Sequence, residues 1–177
     1  HEKIVPSVKS IPAWINDSLI VYTKISKPNK NGSKLFDLYQ YDFNSEEETQ
    51  LTEGLRLHSP VYNPVNDNII ALNTYDGTSN LVVGSRDFTE YKILTEFNNG
   101  IQIYSIALYD GDYLIDAVIN HERDFYIVNS STGELEVMLK KPWDLRDPVY
   151  KNNSLVYSDD RYGIYNIYMK TDDDEGY

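Results

Sequence analysis

The chain has 177 residues, 41% hydrophobic and 25% charged, with a formal net charge of -12 at pH 7 and no cysteine. That length carries one well-buried domain, and the lack of cysteine excludes disulfides, thiol catalysis and Cys-based zinc sites. The acidic balance argues against nucleic acid and acidic membrane surfaces, which need clustered cations, and no apolar run is long enough to span a bilayer. Sixteen tyrosines against two methionines favour strands, where a ring packs on one sheet face and its hydroxyl reaches water.

In chain order the same pattern recurs four times. Each unit opens on a short strand, usually with a proline: IPAW at Pro12, SPVY at Pro60, YSIAL at Ile106 and DPVY at Pro148. An apolar run follows in each, LIVYT (19–23), NIIALN (68–73), YLIDAVI (113–119) and SLVYS (154–158), and then a turn rich in Gly, Asn or Asp. A third strand begins at an Asp or Asn before an apolar-aromatic pair: Asp37, Asn80, Asp124 and Asn166. These positions step by 80−37 = 43, 124−80 = 44 and 166−124 = 42 residues. A fourth strand, TQLT, YKILT or EVML, closes the first three units.

No segment sustains a 3.6-residue pattern, so helix should be nearly absent. Four strands per repeat of this size predict an all-β fold, a β-propeller of four-stranded antiparallel blades. The blade repeats run over about 10–53, 58–96, 103–140 and 146–177, with an outer strand at 2–5. Two closures are open. Residues 2–5 complete the last blade of a four-bladed ring, or the chain is part of a larger propeller whose exposed blade face favours self-association.

The stretch SPVYNPVNDNIIALNTYDGTSNLVV resembles the WD-like propeller repeat of TolB-type proteins. Ser59-Pro60 and Pro64 match the repeat, Asn66-Asp67 stands where Asp-Gly is usual, and Asp110-Gly111 is retained in the third unit. The resemblance implies a non-catalytic, extracytoplasmic (periplasmic or secreted) propeller that meets another protein on its loop-rich face. Three alternatives stand beside it: the regulatory propeller of a prolyl-oligopeptidase-like peptidase, a carbohydrate-binding or carbohydrate-active propeller, and a self-assembling surface protein.

The candidate binding residues lie in the turns between second and third strands: Tyr75, Asp76, His121, Asp159, Asp160 and Arg161. Asp and Asn are also common in such turns because their side chains bond nearby N–H groups and tolerate left-handed backbone. The repeated Asp37, Asn80, Asp124 and Asn166 are read as structural, each satisfying turn N–H groups at the start of its third strand. No catalytic residue is expected: His1, His58 and His121 are dispersed, and no Gly-x-Ser-x-Gly stretch occurs. No cofactor is expected either. Calcium is the minor alternative, at Asp172–Gly176 or around Asp110, Asp112 and Asp116, where the ligand alternation of a calcium loop is missing.

Overall fold

The structure is a computed structural model that describes residues 3–28 and 30–171. Those residues contain no helix and fifteen strands, arranged in four antiparallel sheets taken in sequence order. The first sheet holds β1 (Ala13–Trp14), β2 (Leu19–Ile25), β3 (Phe36–Asp42) and β4 (Glu47–Gln50). The second holds β5 (Leu57–Asn63), β6 (Asn68–Tyr75), β7 (Thr78–Ser85) and β8 (Tyr91–Ile93). The third holds β9 (Gln102–Tyr109), β10 (Asp112–Ile119), β11 (Glu122–Val128) and β12 (Leu135–Leu139). The fourth holds β13 (Leu145–Lys151), β14 (Ser154–Asp159) and β15 (Asn166–Thr171). Each sheet is an up-and-down meander, the blade expected from the repeat.

The hairpins follow from their turn residues. Asp76-Gly77, Asp110-Gly111, Asn120-His121 and Asn152-Asn153 all carry positive φ at both positions, the type I′ geometry that suits the right-handed twist of the flanking strands. Of the expected outer strand at 2–5, Lys3 to Val5 are irregular, and Glu2 lies outside the described residues. The N-terminal segment instead reaches the inner side of the first sheet, through the bridge Val8–Lys24.

Prolines in the first strands mark a bulge. Pairing shifts register between His58 and Val61 and between Arg146 and Val149, with Ser59 (φ 53) and Asp147 (φ 53) in left-handed backbone just before Pro60 and Pro148. A bulge is one of the few sheet positions where the missing proline N–H costs nothing.

The chain divides into two compact units. One holds the first two blades; the other holds the last two together with the turn segment Asp76–Ser79. In the first unit the core joins Ile15, Val21 and Leu38 of one blade to Leu57, Ile69, Ala71, Val82 and Phe88 of the next. In the second, Leu114 and Phe125 of the third blade pack against Leu145, Leu155 and Tyr157 of the fourth. By register these are the same positions used twice: Val21 and Leu38 correspond to Leu114 and Phe125, and Leu57 and Ile69 to Leu145 and Leu155.

Two polar ties accompany each apolar seam. The bulge N–H of Ser59 donates to Thr23 Oγ1 (3.1 Å), and that of Asp147 donates to Asp116 Oδ2 (3.2 Å). The repeated Asp makes the second tie. Asp37 Oδ1 accepts from Leu55 N (3.3 Å), and Asp124 Oδ1 accepts from Lys141 N (3.1 Å), in the segments that lead from one blade into the next. This corrects the expectation for these two aspartates: they hold the inter-blade link, not their own turn. Both are fully buried, and in each the Oδ2 atom has no partner. Asn166 keeps a local bond, its amide donating to Ile164 O (3.2 Å), and Asn80 is half-buried on β7.

Candidate functional site

In the second unit, the start of β11, the start of β13 and the β14–β15 turn carry three arginines, each set on an aromatic ring and beside a carboxylate. Arg123 lies 4.2 Å from the centre of the Tyr104 ring and grips Asp116 in two bonds of 2.7 Å. Cross-strand geometry explains the pair: Arg123 stands opposite Val118, one same-face position from Asp116. Arg146 lies 4.3 Å from the Tyr165 ring and donates to Asp144 (3.1 Å), which also accepts the Tyr165 hydroxyl (3.3 Å). Arg161 sits between Tyr168 (3.7 Å) and Trp143 (5.2 Å) and bonds Asp159 Oδ2 at 2.6 Å.

The electrostatics follow the same pairings. Burial alone would raise the Asp159 carboxyl, but the hydrogen bonds and charge of Arg161 outweigh it and hold the group below the usual aspartate range. Arg161 is pushed further up by the bond to Asp159. Arg123 also stays above its ordinary value: burial works against its charge, and the bonds to Asp116 more than offset that. A guanidinium paired and stacked in this way is fixed in place. These arginines therefore shape a surface and are poor candidates for proton transfer.

The six candidate turn residues are not gathered into one constellation. Asp159, Asp160 and Arg161 are together, with Asp160 Oδ1 accepting the backbone N–H of Asp144 (3.0 Å), so the turn also braces the link that enters the fourth blade. Asp159 is fully buried, which makes it a foundation and not a contact residue. His121 is exposed at a turn tip with φ 71. Tyr75 ends β6 in the first unit, with the Arg56 guanidinium 5.4 Å from its ring, and Asp76 is an exposed turn corner.

Tyr104, Arg123, Asp144, Arg146 and Tyr165 escaped the sequence reading. The only signal for them is hairpin register, since an Asp and an Arg seven apart around Asn120-His121 must meet on one face. Two of the stacking rings are themselves exposed, Tyr104 (50%) and Tyr165 (43%), and the β14–β15 turn also exposes Tyr162 (78%) and Ile164 (66%). Elsewhere, His58 is held below its usual pKa by burial and bonds Ser59 and Thr74. Among the described residues no three acidic or histidine side chains converge as metal ligands, and the run 172–175 lies outside those residues. Asp116 is taken by Arg123, and Asp112 accepts Ser130 N (2.8 Å).

No protein-family model and no curated protein matches the chain. Solved structures do. TolB from Acinetobacter baumannii aligns with a TM-score of 0.70 at 16% identity, over 90% of this chain and 40% of that chain. The β-propeller domain of the Trilobed protease from Pyrococcus furiosus aligns at 0.69 and 15% identity, over 94% of this chain and 54% of that one. A chain of the nidogen/laminin complex aligns at 0.60 and 14% identity, over 90% and 74%. Together with the four sheets, these likenesses show an all-β fold of TolB-like propeller type. The chain spans about two fifths of the TolB chain and about half of the protease domain.

Proposed function

We propose that this propeller is a non-catalytic, extracytoplasmic module that binds another protein through the stacked arginines and exposed rings of its second unit. The observation that carries the reading is that exposed Tyr104 and Tyr165 each stack on a paired arginine, with Tyr162 and Ile164 exposed in the same turn as Tyr165. Aromatic residues and Arg are enriched in the desolvated centres of protein interfaces, and rings held by neighbours lose little entropy on contact. The likeness to TolB supports an extracytoplasmic location, and the nidogen/laminin chain is a structural neighbour taken from a protein complex. To test the reading, Tyr162 is replaced by a photo-crosslinking phenylalanine analogue in the native host. We expect an adduct with a second protein that disappears when Tyr165→Ala and Ile164→Asp are added. An adduct pattern no different from that of a probe at Glu47 overturns it.

A second reading has its own support. The chain also aligns with the propeller of the Trilobed protease and with Pyrococcus horikoshii acylaminoacyl peptidase, the latter at TM-score 0.67. In that reading the module gates access to a peptidase domain elsewhere in the polypeptide. The full reading frame tests it: a Gly-x-Ser-x-Gly elbow with downstream Asp and His supports it, and a frame without one removes it.

A further inference from the structure

The two ends of the first unit differ in charge. Between Asp17 and Asp37 the sequence has Lys24, Lys27, Lys30 and Lys34 and no acid, in a chain of net charge -12. Lys24 is taken by Glu48 at 2.8 Å. Lys27, Lys30 and Lys34, in the connection from β2 to β3, are exposed and have no carboxylate partner among the described residues. Arg56 stands at the same end, because the bond from Ser59 N to Thr23 sets the start of β5 beside the end of β2. Among the described residues it is the one arginine without a carboxylate partner, and its guanidinium lies 5.4 Å from the centre of the Tyr75 ring. The opposite end of the unit is acidic, with Asp42, Glu46 and Glu47 around the β3–β4 turn and Asp87 and Glu90 between β7 and β8.

Apolar surface lies among these cations. Ile25 and Phe36 pair across the mouth of the β2–β3 connection, and both are exposed, as is Tyr75. The Phe36 ring meets His58 edge-on at 6.3 Å, and His58 Nε2 bonds Thr74 next to Tyr75, so the two rings share one surface. A Cβ at Gly54 would stand 3.9 Å from Leu35 Cδ1, which sets the connection against the link that carries Arg56. On either side of Arg56 in the chain, Leu55 and Leu57 line a cavity of about 200 Å³ together with Val82, Ile93 and Asn73.

Apolar spots and a cavity rimmed by unpaired cations match a chain that alternates carboxylates with apolar side chains. A polynucleotide or an anionic membrane is a poorer match, since each presents an extended run of phosphates. The exposed Glu53 in the link and Asp76 after Tyr75 would meet such a run where it leaves the lysines. Asp37, the remaining acid at this end, is buried and holds Leu55 N.

We propose that this end of the first unit docks an acidic segment of another protein. Its carboxylates lie on Lys27, Lys30, Lys34 and Arg56, and one of its apolar side chains fills the cavity beside Leu55 and Ile93. The site is separate from the stacked arginines of the second unit and does not depend on their role. The test is fluorescence anisotropy with a labelled peptide of alternating Glu and Leu, against a counterpart with Gln in place of Glu. Binding of the Glu peptide alone is expected. Lys27→Gln/Lys30→Gln/Lys34→Gln should weaken it about tenfold. Ile93→Asp, on an exposed position of β8, should weaken it too while the thermal midpoint holds. Lys140→Gln/Lys151→Gln/Lys170→Gln removes as much positive charge and should leave binding intact. Equal affinity for the two peptides, equal loss in the two lysine variants, or full binding by Ile93→Asp overturns the proposal. Phosphatidylserine vesicles and an oligothymidylate are titrated in parallel. Either one binding through Lys27, Lys30 and Lys34 more tightly than the peptide rejects a protein segment as the occupant.

Discussion

Asp124 concentrates the physics of the fold in one side chain. One of its oxygens holds the Lys141 N–H, the other is buried without a partner, and burial raises its carboxyl above the ordinary aspartate value. Removing the acceptor in Asp124→Ala leaves a link N–H unsatisfied and should lower stability by about 1 kcal/mol in chemical denaturation. The sign of the pH effect follows from the raised value. Asp124 favours the fold most at pH below the unfolded aspartate range, and that contribution is lost as pH rises through its folded pKa. Asp124→Asn should therefore flatten the stability profile in that window, and a profile unchanged by the substitution would remove Asp124 as its source. Asp159 runs the other way. Its carboxyl is held low, so its contribution is present above the unfolded range and is lost as pH falls through the folded value. Its partner Arg161 keeps 26% of its side chain exposed, which tempers the cost of breaking the pair. Arg161→Leu should cost about 2 kcal/mol in thermal or denaturant unfolding, less than a fully enclosed pair. Arg161→Leu combined with Asp159→Asn should recover part of it.

At the scale of elements, the strands were legible in the sequence because turn chemistry and apolar runs agree. The run NIIALN lies within β6, YLIDAVI within β10 and SLVYS within β14, each bounded by the Asn, Asp or Gly that its type I′ turn demands. The Ser-Pro and Asp-Pro pairs were readable as first-strand markers, but their role as bulges that aim an N–H at the preceding blade was not. That role depends on Thr23 and Asp116, 36 and 31 residues earlier in the chain. The candidate site was half visible for the same reason. Asp159, Asp160 and Arg161 are local, whereas the Arg146–Tyr165 stack joins a residue of β13 to one in the β14–β15 turn. One element-level test lies in the β7–β8 hairpin. A Cβ at Gly84 would stand 2.8 Å from three atoms of the buried Phe88 ring. Gly84→Ala should lower stability by about 1–2 kcal/mol, since the ring is seated in the first-unit core and moves only with its neighbours. An unchanged denaturation midpoint would show that the ring is not confined.

At the scale of the whole molecule, the repeat builds two units by the same joint. An apolar seam sets blade on blade, a bulge N–H reaches back to the second strand of the preceding blade, and a buried third-strand aspartate holds the link. The turns are then free to vary without disturbing the joint, which lets one hairpin end acquire the stacked arginines and exposed tyrosines. The most direct test of this account is residue-resolved amide hydrogen exchange under native conditions. The joint predicts that Leu55, Ser59, Lys141 and Asp147, although outside regular ladders or at bulges, exchange as slowly as central-strand amides such as Leu114. Exchange at those four positions as fast as at the exposed turn residue His121 would contradict it.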